Sequence, residues 1–393
     1  MRPRQRRRHG ALATAAATLL ALSAGQTIAA LPAAAAPAPS ASPVSPVSAA
    51  QDHAARTLAR SLADPAWRHR VQQAALASDE VAVTSLAGGG LRSLLAADDR
   101  RITEAKGLDP AVGSLLRLRL GDASMRGEVA AGATPWVVAA TADDDATEVV
   151  AYDSRGGTHR LDARHAPGRP VYVVDIDGSK ALAAGLDVLN RQLNRYGVTS
   201  AAPAPAPTAA AGTAGAGTAA ARETGRAAAA GGFWTTRIAA VELSDDEEPW
   251  VKGDAEIYTL VTGFGQDGKV RVDPVDMPYL DNDGTVYRPG QILVNWSYYK
   301  YNLADAVMME EDGSTNYRDL AKAIAGALLT ITDHGAYIPL VNAVLDAIPD
   351  DWWTDDPDYV DSWYTLARTD NGTRYGARGN GWMTVEPYFV QEL

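Results

Sequence analysis

The chain has 393 residues, no cysteine, and 48 acidic against 36 basic side chains, which gives a net charge of −12. The lack of cysteine excludes disulfides, thiolate metal sites and cysteine catalysis. The acidic balance disfavours binding to nucleic acid or to an anionic membrane surface, and it favours cations or basic partners.

The first 36 residues have the pattern of an export signal. A basic start, MRPRQRRRHG, precedes an apolar stretch rich in Ala and Leu, and LPAAAA offers small residues for cleavage. We therefore predict a signal peptide over residues 1–36, a secreted, extracellular protein, and no transmembrane segment in the mature chain. Residues 37–50 are rich in Pro, Ser and Ala and predict a disordered leader. The excess of Arg over Lys, together with abundant Ala and Gly, is typical of a GC-rich bacterial genome.

Residues 51–198 predict an α+β domain. Apolar residues at three- and four-residue steps indicate several helices, one of them over residues 112–118. Further along the chain the period changes to two, and TPWVVAAT, TEVVAYD, THRLDAR and RPVYVVDID predict about four strands. The sequence Asp175-x-Asp177-Gly178 favours a turn into the helix SKALAAGLDVLNRQL over a cation loop.

Residues 199–232 are almost entirely small side chains and predict an Ala/Pro/Gly linker, because they can bury no core. Residues 233–393 differ sharply, with all three Phe, seven of the nine Trp, and 28 acidic against 11 basic residues. Seven segments rich in aromatic and β-branched residues predict a mainly-β antiparallel sandwich. The segments STNYRDLAKAIAGALLTIT and YIPLVNAVLDAIP each carry an apolar stripe and predict a helical hairpin inserted between two strands.

Acidic clusters mark the ends of several of the predicted sandwich strands. Loops at one end of a sandwich converge from distant positions in the sequence, and carboxylate oxygens are the ligands that Ca²⁺ prefers. We therefore predict a Ca²⁺ site formed by Asp245, Asp246, Glu248, Asp254, Glu310 and Asp312. Solvated turns on an acidic surface are the alternative interpretation of these clusters.

Trp352 and Trp353 lie in IPDDWWTDDPDY, a stretch dense in Asp and Pro. Exposed tryptophans beside carboxylates suit sugar rings or basic peptides, so we predict both as ligand-binding residues. The alternative is that they cover the apolar end of the helical hairpin. The motifs HExxH, G-x-S-x-G and the Walker loop are missing from the sequence, which leaves open whether the protein is an enzyme.

Residues 233–393 resemble an uncharacterised family of secreted bacterial proteins, domain of unknown function 3103. The segments that carry the resemblance are VELSDDEEPWVKGDAEIY, YRPGQILVNWSYYKYN, MEEDG and GARGNGWMTVEPYF. The resemblance implies no activity and no site residues. The predicted sandwich, with acidic loops at one end, is also similar in layout to calcium-binding C2 domains.

Together these features predict a secreted, calcium-binding β-sandwich interaction module. Its extracellular ligand would be a glycan or a basic protein. A carbohydrate-binding protein and a secreted hydrolase with an unrecognised site are the alternatives.

Overall fold

The computed structural model describes residues 44–141, 146–198, 231–244, 250–253, 255–311, 313–348 and 359–391. The predicted signal peptide, residues 37–43 of the predicted leader and nearly all of the predicted linker lie outside these ranges. Residues 46–50 of the segment predicted as a disordered leader lie in the first helix. Within the ranges, no helix is both long enough and apolar enough to cross a membrane.

The described residues before 199, called here the N-terminal part, combine helices with one sheet, as the α+β prediction requires. Its α-helices are α1 Pro46–Ser61, α2 Pro65–Ala77, α3 Val83–Leu86, α4 Gly89–Ala105, α5 Arg126–Ala130 and α6 Gly178–Tyr196. Its strands are β1 Glu80–Val81, β2 Leu116–Leu120, β3 Trp136–Ala139, β4 Glu148–Tyr152, β5 Thr158–Asp162 and β6 Val171–Ile176. The six strands lie in the order β1-β2-β6-β3-β4-β5, and β3 and β6 run parallel. The four strands predicted in this part are confirmed as β3 to β6.

The helix predicted over residues 112–118 is wrong. A short 3₁₀ turn ends at Val112, and strand β2 follows, paired with β1 on one side and β6 on the other. The Asp99 carboxylate accepts backbone hydrogen bonds from Leu115 and Leu116 at 2.8 and 2.9 Å, which holds the start of the strand. The alternating sequence LRLRL fits the pleat of a strand, and that pairing outweighs the helical spacing of the leucines.

The described residues after 230, called here the C-terminal part, form two antiparallel four-stranded sheets, which confirms the sandwich. The strands are β7 Gly232–Leu243, β8 Ile257–Phe264, β9 Val270–Asp276, β10 Gln291–Asn295, β11 Leu303–Glu310, β12 Tyr359–Ala367, β13 Gly372–Tyr375 and β14 Gly381–Gln391. One sheet has the order β10-β7-β14-β13 and the other the order β12-β11-β8-β9. Sequence analysis missed the short strand β13.

Two helices, α7 Tyr317–Leu328 and α8 Val341–Leu345, follow β11 and confirm the position of the inserted hairpin. Helix α7 begins with its cap at Asn316, whose side chain accepts hydrogen bonds from the backbone of Arg318 and Asp319. Helix α8 has only five residues, so it forms a single turn and a half where the sequence pattern favours a longer helix.

The two parts of the chain share one hydrophobic core. Its largest cluster joins Leu58 and Leu189 of the N-terminal part with Leu260 and Tyr317 of the C-terminal part. Gly185 in α6 has no room for a side chain, because an added Cβ would lie 2.0 Å from the Tyr317 ring. This shared packing positions the cavity described below. The domain boundaries that the sequence predicts at residues 198 and 233 stay a prediction.

A buried ion pair reinforces the junction between the two parts. Lys106, which follows α4, pairs with Glu311, which follows β11, and neither side chain is exposed to solvent. The Tyr317 hydroxyl donates a second hydrogen bond to the same carboxylate. A side chain adds to the contact, since Nε of Arg318 donates a 2.7 Å hydrogen bond to the Gly107 backbone carbonyl.

Candidate functional site

A cavity of about 510 Å³ lies between the start of α6 in the N-terminal part and one end of the sandwich. Its wall is acidic, and we call it the acidic cavity. The acidic residues that line it are Asp79, Glu80, Asp175, Glu256, Asp276, Asp281 and Glu311, and the basic ones are Arg119, Arg126 and Lys252. The volume falls in the range of small-ligand sites, and the excess of acids favours a cation.

Several of the lining carboxylates are matched by a cation of the protein itself. Arg126 pairs with Asp79, and Nε of Arg119 lies 3.1 Å from a carboxylate oxygen of Asp175. Arg119 also donates a hydrogen bond of 2.7 Å to the Val251 carbonyl, which ties the sandwich to the sheet. The pair between Lys106 and Glu311 lies beside the same cavity.

The carboxylate of Glu256 is different. Within the described residues it forms no hydrogen bond and no ion pair. Burial, together with the negative charges of Glu310, Asp175, Glu311 and Glu80, raises its pKa to about 9. An acid with such a pKa is protonated at neutral pH, so the cavity holds one carboxyl group that lacks the counter-charge needed to ionise.

Glu256 reaches the first turn of α6 because that turn begins with a glycine. A Cβ added at Gly178 would lie 2.2 Å from the Glu256 carboxyl carbon. The adjacent residue Asp177 caps the helix through a 3.2 Å hydrogen bond from the Lys180 backbone, which confirms the predicted turn into this helix. The sequence at this turn therefore makes room for the carboxyl group of a residue 78 positions further along the chain.

Two more cavity acids are perturbed by their surroundings. Burial raises the pKa of Asp175 to about 6, although Arg119 partly offsets the effect. Burial also raises the pKa of Asp276, one of whose carboxyl oxygens is buried without a hydrogen-bond partner among the described residues. Several titratable groups with shifted pKa values in one cleft are typical of a functional site.

Of the six predicted Ca²⁺ ligands, the described residues include Glu310. It ends strand β11 and is only 2 % exposed, where the sequence predicted a Ca²⁺ ligand in a loop, with a solvated turn as the alternative. Its negative charge acts on Glu256, so it belongs to the same acidic group. The other predicted ligands and both predicted ligand-binding tryptophans lie outside the described residues: Asp245, Asp246, Glu248, Asp254, Asp312, Trp352 and Trp353.

Two of the undescribed positions have chain neighbours that line the cavity. Gly253 and Ala255, which flank position 254, both line the cavity. Glu311 and Gly313, which flank position 312, do so as well. Among the described residues, however, no three acidic or histidine side chains are grouped so that they could hold one metal ion.

Sequence analysis missed Glu256, although its position carried a signal. It directly precedes Ile257–Phe264, a strand whose eight residues are all buried. Asp175 lies inside the apolar run VYVVDI, whose six residues are also all buried. An acid inside or beside such a run predicts a carboxylate with little access to water, and this signal is more informative than a cluster of acids in a turn.

The fold and the cavity define this chain as an α+β protein with a β-sandwich and a buried acidic site between its two parts. A family model described as a protein of unknown function, DUF3103, matches residues 50–393, and the chain belongs to that family. The match begins within α1, so the family includes the N-terminal part as well as the sandwich. No curated protein and no solved structure matches the chain.

Proposed function

We propose that this chain is a secreted interaction module that binds Ca²⁺ at the acidic cavity. The observation that carries the proposal is the Glu256 carboxyl, which forms no ion pair within the described residues although the charges of four other acids act on it. A bound divalent cation would supply the missing positive charge and allow Glu256 to ionise.

The chemistry of the lining groups favours Ca²⁺ over Mg²⁺. Ca²⁺ accepts six to eight oxygen ligands in variable geometry, whereas Mg²⁺ requires a near-ideal octahedron. We propose that the described acids would supply part of such a shell and that further ligands come from Asp245, Asp246, Glu248, Asp254 and Asp312. Ligands must lose their protons to bind, so the affinity should increase as the pH rises toward the pKa of Glu256, about 9.

Thermal unfolding tests the proposal. Millimolar Ca²⁺ should raise the melting temperature of the full mature chain more than Mg²⁺ does, relative to chelator, because it binds the native state alone. Glu256→Gln should remove most of this increase, and Asp246→Asn or Asp312→Asn should reduce it. Asp283→Asn, an exposed acid that does not line the cavity, is the matched control. Identical melting curves in Ca²⁺ and in chelator would contradict the proposal.

A secreted hydrolase is the second candidate, and one observation favours it. The pKa values of Glu256 and Asp175 are pushed apart, to about 9 and about 6, as in a pair that divides the roles of acid and base. A panel of peptidase, esterase and glycosidase substrates, tested on the wild type and on Glu256→Gln, separates the candidates. Turnover that is lost in Glu256→Gln and kept in Asp283→Asn would favour the hydrolase.

A further inference from the structure

A second concave site lies at the side of the sandwich, and its lining is neutral rather than acidic. It is a groove of about 310 Å³ between β12 and β13, which are the edge strands of the two different sheets. We call it the tyrosine groove. It is lined by Trp363, Tyr364, Thr365, Leu366, Asp370, Thr373, Arg374 and Tyr375.

A β-bulge shapes one wall of the groove. Ala304 pairs with Leu366 and Ala306 pairs with Trp363, so β12 contains one more residue than the opposite stretch of β11. Trp363 and Leu366 both remain buried, while the two residues between them, Tyr364 and Thr365, both face solvent. The extra residue therefore turns the Tyr364 ring outward without removing its neighbours from the core.

The bulge requires an unusual backbone conformation. Thr365 has a φ of 55°, in the left-handed region that β-branched residues rarely adopt. A fully buried carboxylate, that of Asp305, holds it there by accepting a 2.7 Å hydrogen bond from the Thr365 backbone. Asp305 also accepts a 2.5 Å hydrogen bond from the Leu340 backbone, which fixes the carboxylate itself. Strain that the surrounding structure maintains in this way is concentrated at functional sites.

Two tyrosine rings are presented at the groove. Tyr375 is 77 % exposed, which is unusual for a large aromatic side chain. Tyr364 is held in place by a 2.8 Å hydrogen bond from its hydroxyl to the Asn342 side chain in α8. The Trp363 indole donates to the Arg374 carbonyl at 3.2 Å and joins the two edge strands beneath these rings.

The charge of the groove indicates the class of ligand. Its lining contains one acid, Asp370, and one base, Arg374, and the two form an ion pair. A backbone hydrogen bond of 3.0 Å from Ala367 also fixes the carboxylate. The guanidinium has five N–H donors and uses one of them for the ion pair, so several donors are available beside the rings. A net-neutral groove with hydrogen-bonding groups and exposed rings suits an uncharged ligand that has hydroxyl groups and apolar faces.

We propose that the tyrosine groove binds a neutral oligosaccharide. The rings of Tyr364 and Tyr375 contact the apolar faces of the sugar, and Arg374, Asp370 and the hydroxyls of Thr365 and Thr373 bond its hydroxyl groups. A basic or acidic peptide would leave its charge unmatched in this groove. The site is separate from the acidic cavity, and its residues are different from Trp352 and Trp353.

A printed array of neutral and acidic oligosaccharides, probed with the labelled full mature chain in chelator, tests the proposal. We expect neutral glycans to bind, and calorimetry with the best of them should show at least tenfold weaker binding for Tyr375→Ala and Arg374→Ala. Tyr388→Ala is the matched control, because Tyr388 is exposed on the same sheet but does not line the groove, and its binding should equal that of the wild type.

Three outcomes would overturn the proposal. The first is that the wild type binds no neutral glycan on the array. The second is that Tyr375→Ala binds as tightly as the control. The third is that an uncharged peptide library binds in place of sugars and loses binding in Tyr375→Ala, which would reassign the groove to peptides. Because chelator is present throughout, none of these results bears on the Ca²⁺ proposal for the cavity, which the melting experiment tests separately.

Discussion

The acidic cavity and the tyrosine groove show two different ways in which this fold builds a recess. The cavity lies between the two parts of the chain, and it gathers acids that outnumber the bases around them. The groove lies between the edge strands of the sandwich, and its single acid and single base form an ion pair. The cavity concentrates unbalanced charge, whereas the groove exposes aromatic rings in a neutral setting.

This difference determines what each recess can bind and what it contributes to stability. The excess of acids makes ionisation of a buried carboxyl group in the cavity costly, and a cation bound there would lower that cost. In the groove, the backbone of Thr365 is strained, and its hydrogen bond to Asp305 compensates for that strain without a ligand. Changes in the cavity should therefore affect both stability and cation response, while changes in the groove should affect binding with little effect on folding.

The largest expected effect comes from breaking the ion pair behind the cavity wall. Lys106→Met leaves the Glu311 carboxylate buried without its cation, and loss of one partner of a buried pair costs roughly 3–5 kcal/mol of unfolding free energy. Urea denaturation of the variant measures this loss. The double variant Lys106→Met with Glu311→Gln should recover a large part of this loss. Equal destabilisation of the single and the double variant would contradict the assignment of a buried ion pair.

The second prediction concerns pH. In chelator, the pKa of Glu256 is raised from 4.5 to about 9. Between these two pH values the native state therefore holds a proton that the unfolded state has lost. Stability must then fall as the pH rises through the window, by up to ~1.4 kcal/mol per pH unit from this group. Glu256→Gln should remove that slope. Parallel stability curves for the variant and the wild type, from pH-dependent urea denaturation, would show that Glu256 is not perturbed.

Relief of the strain in the groove wall should have a smaller effect, of opposite sign. In Thr365→Gly the backbone can keep the same φ without the steric strain of a Cβ. Relief of this strain should stabilise the native state by ~1 kcal/mol more than the greater entropy of the unfolded Gly variant destabilises it. We expect higher stability in urea together with weaker glycan binding, because the pre-ordered bulge is loosened. A destabilised variant would mean that the Thr365 side chain contributes contacts that the strain argument omits.

The smallest expected effect is that of Tyr375→Ala on folding. Because the side chain is 77 % exposed, its removal should change the unfolding free energy by no more than ~0.5 kcal/mol. Chemical denaturation beside the binding assay measures both effects on one preparation. A large loss of stability would make Tyr375 a structural residue and weaken its assignment to a ligand.

The sequence was sufficient to predict the sandwich, the position of the inserted hairpin and the strands β3 to β6, because alternation and turn residues are local signals. It failed for β2, where the spacing of leucines also fits a helix and only pairing with neighbouring strands decides the outcome. The acidic cavity is harder still to predict. Glu256 meets Gly178 across the junction of the two parts, and no local pattern contains that contact.

The candidate metal ligands differ in the same way between those that a local sequence pattern indicates and those that depend on distant contacts. Runs of adjacent acids such as Asp245–Asp246 are conspicuous in the sequence, and the predicted Ca²⁺ ligands rest on them. Glu256 is a single acid beside an apolar strand, and its significance comes from burial and from the charges of residues distant along the chain. The bulge at Thr365 likewise depends on Asp305, which is 60 residues away.

Calorimetric titration of Ca²⁺ into the full mature chain at neutral pH, in two buffers of different ionisation enthalpy, tests the central claim most directly. We predict that the wild type binds Ca²⁺ and releases a proton, because Glu256 must ionise to accept the cation. Glu256→Gln should show weaker binding and no proton release, whereas Asp283→Asn should match the wild type. Absence of binding by the wild type, or equal binding and proton release in Glu256→Gln, would contradict the assignment of the acidic cavity as the Ca²⁺ site.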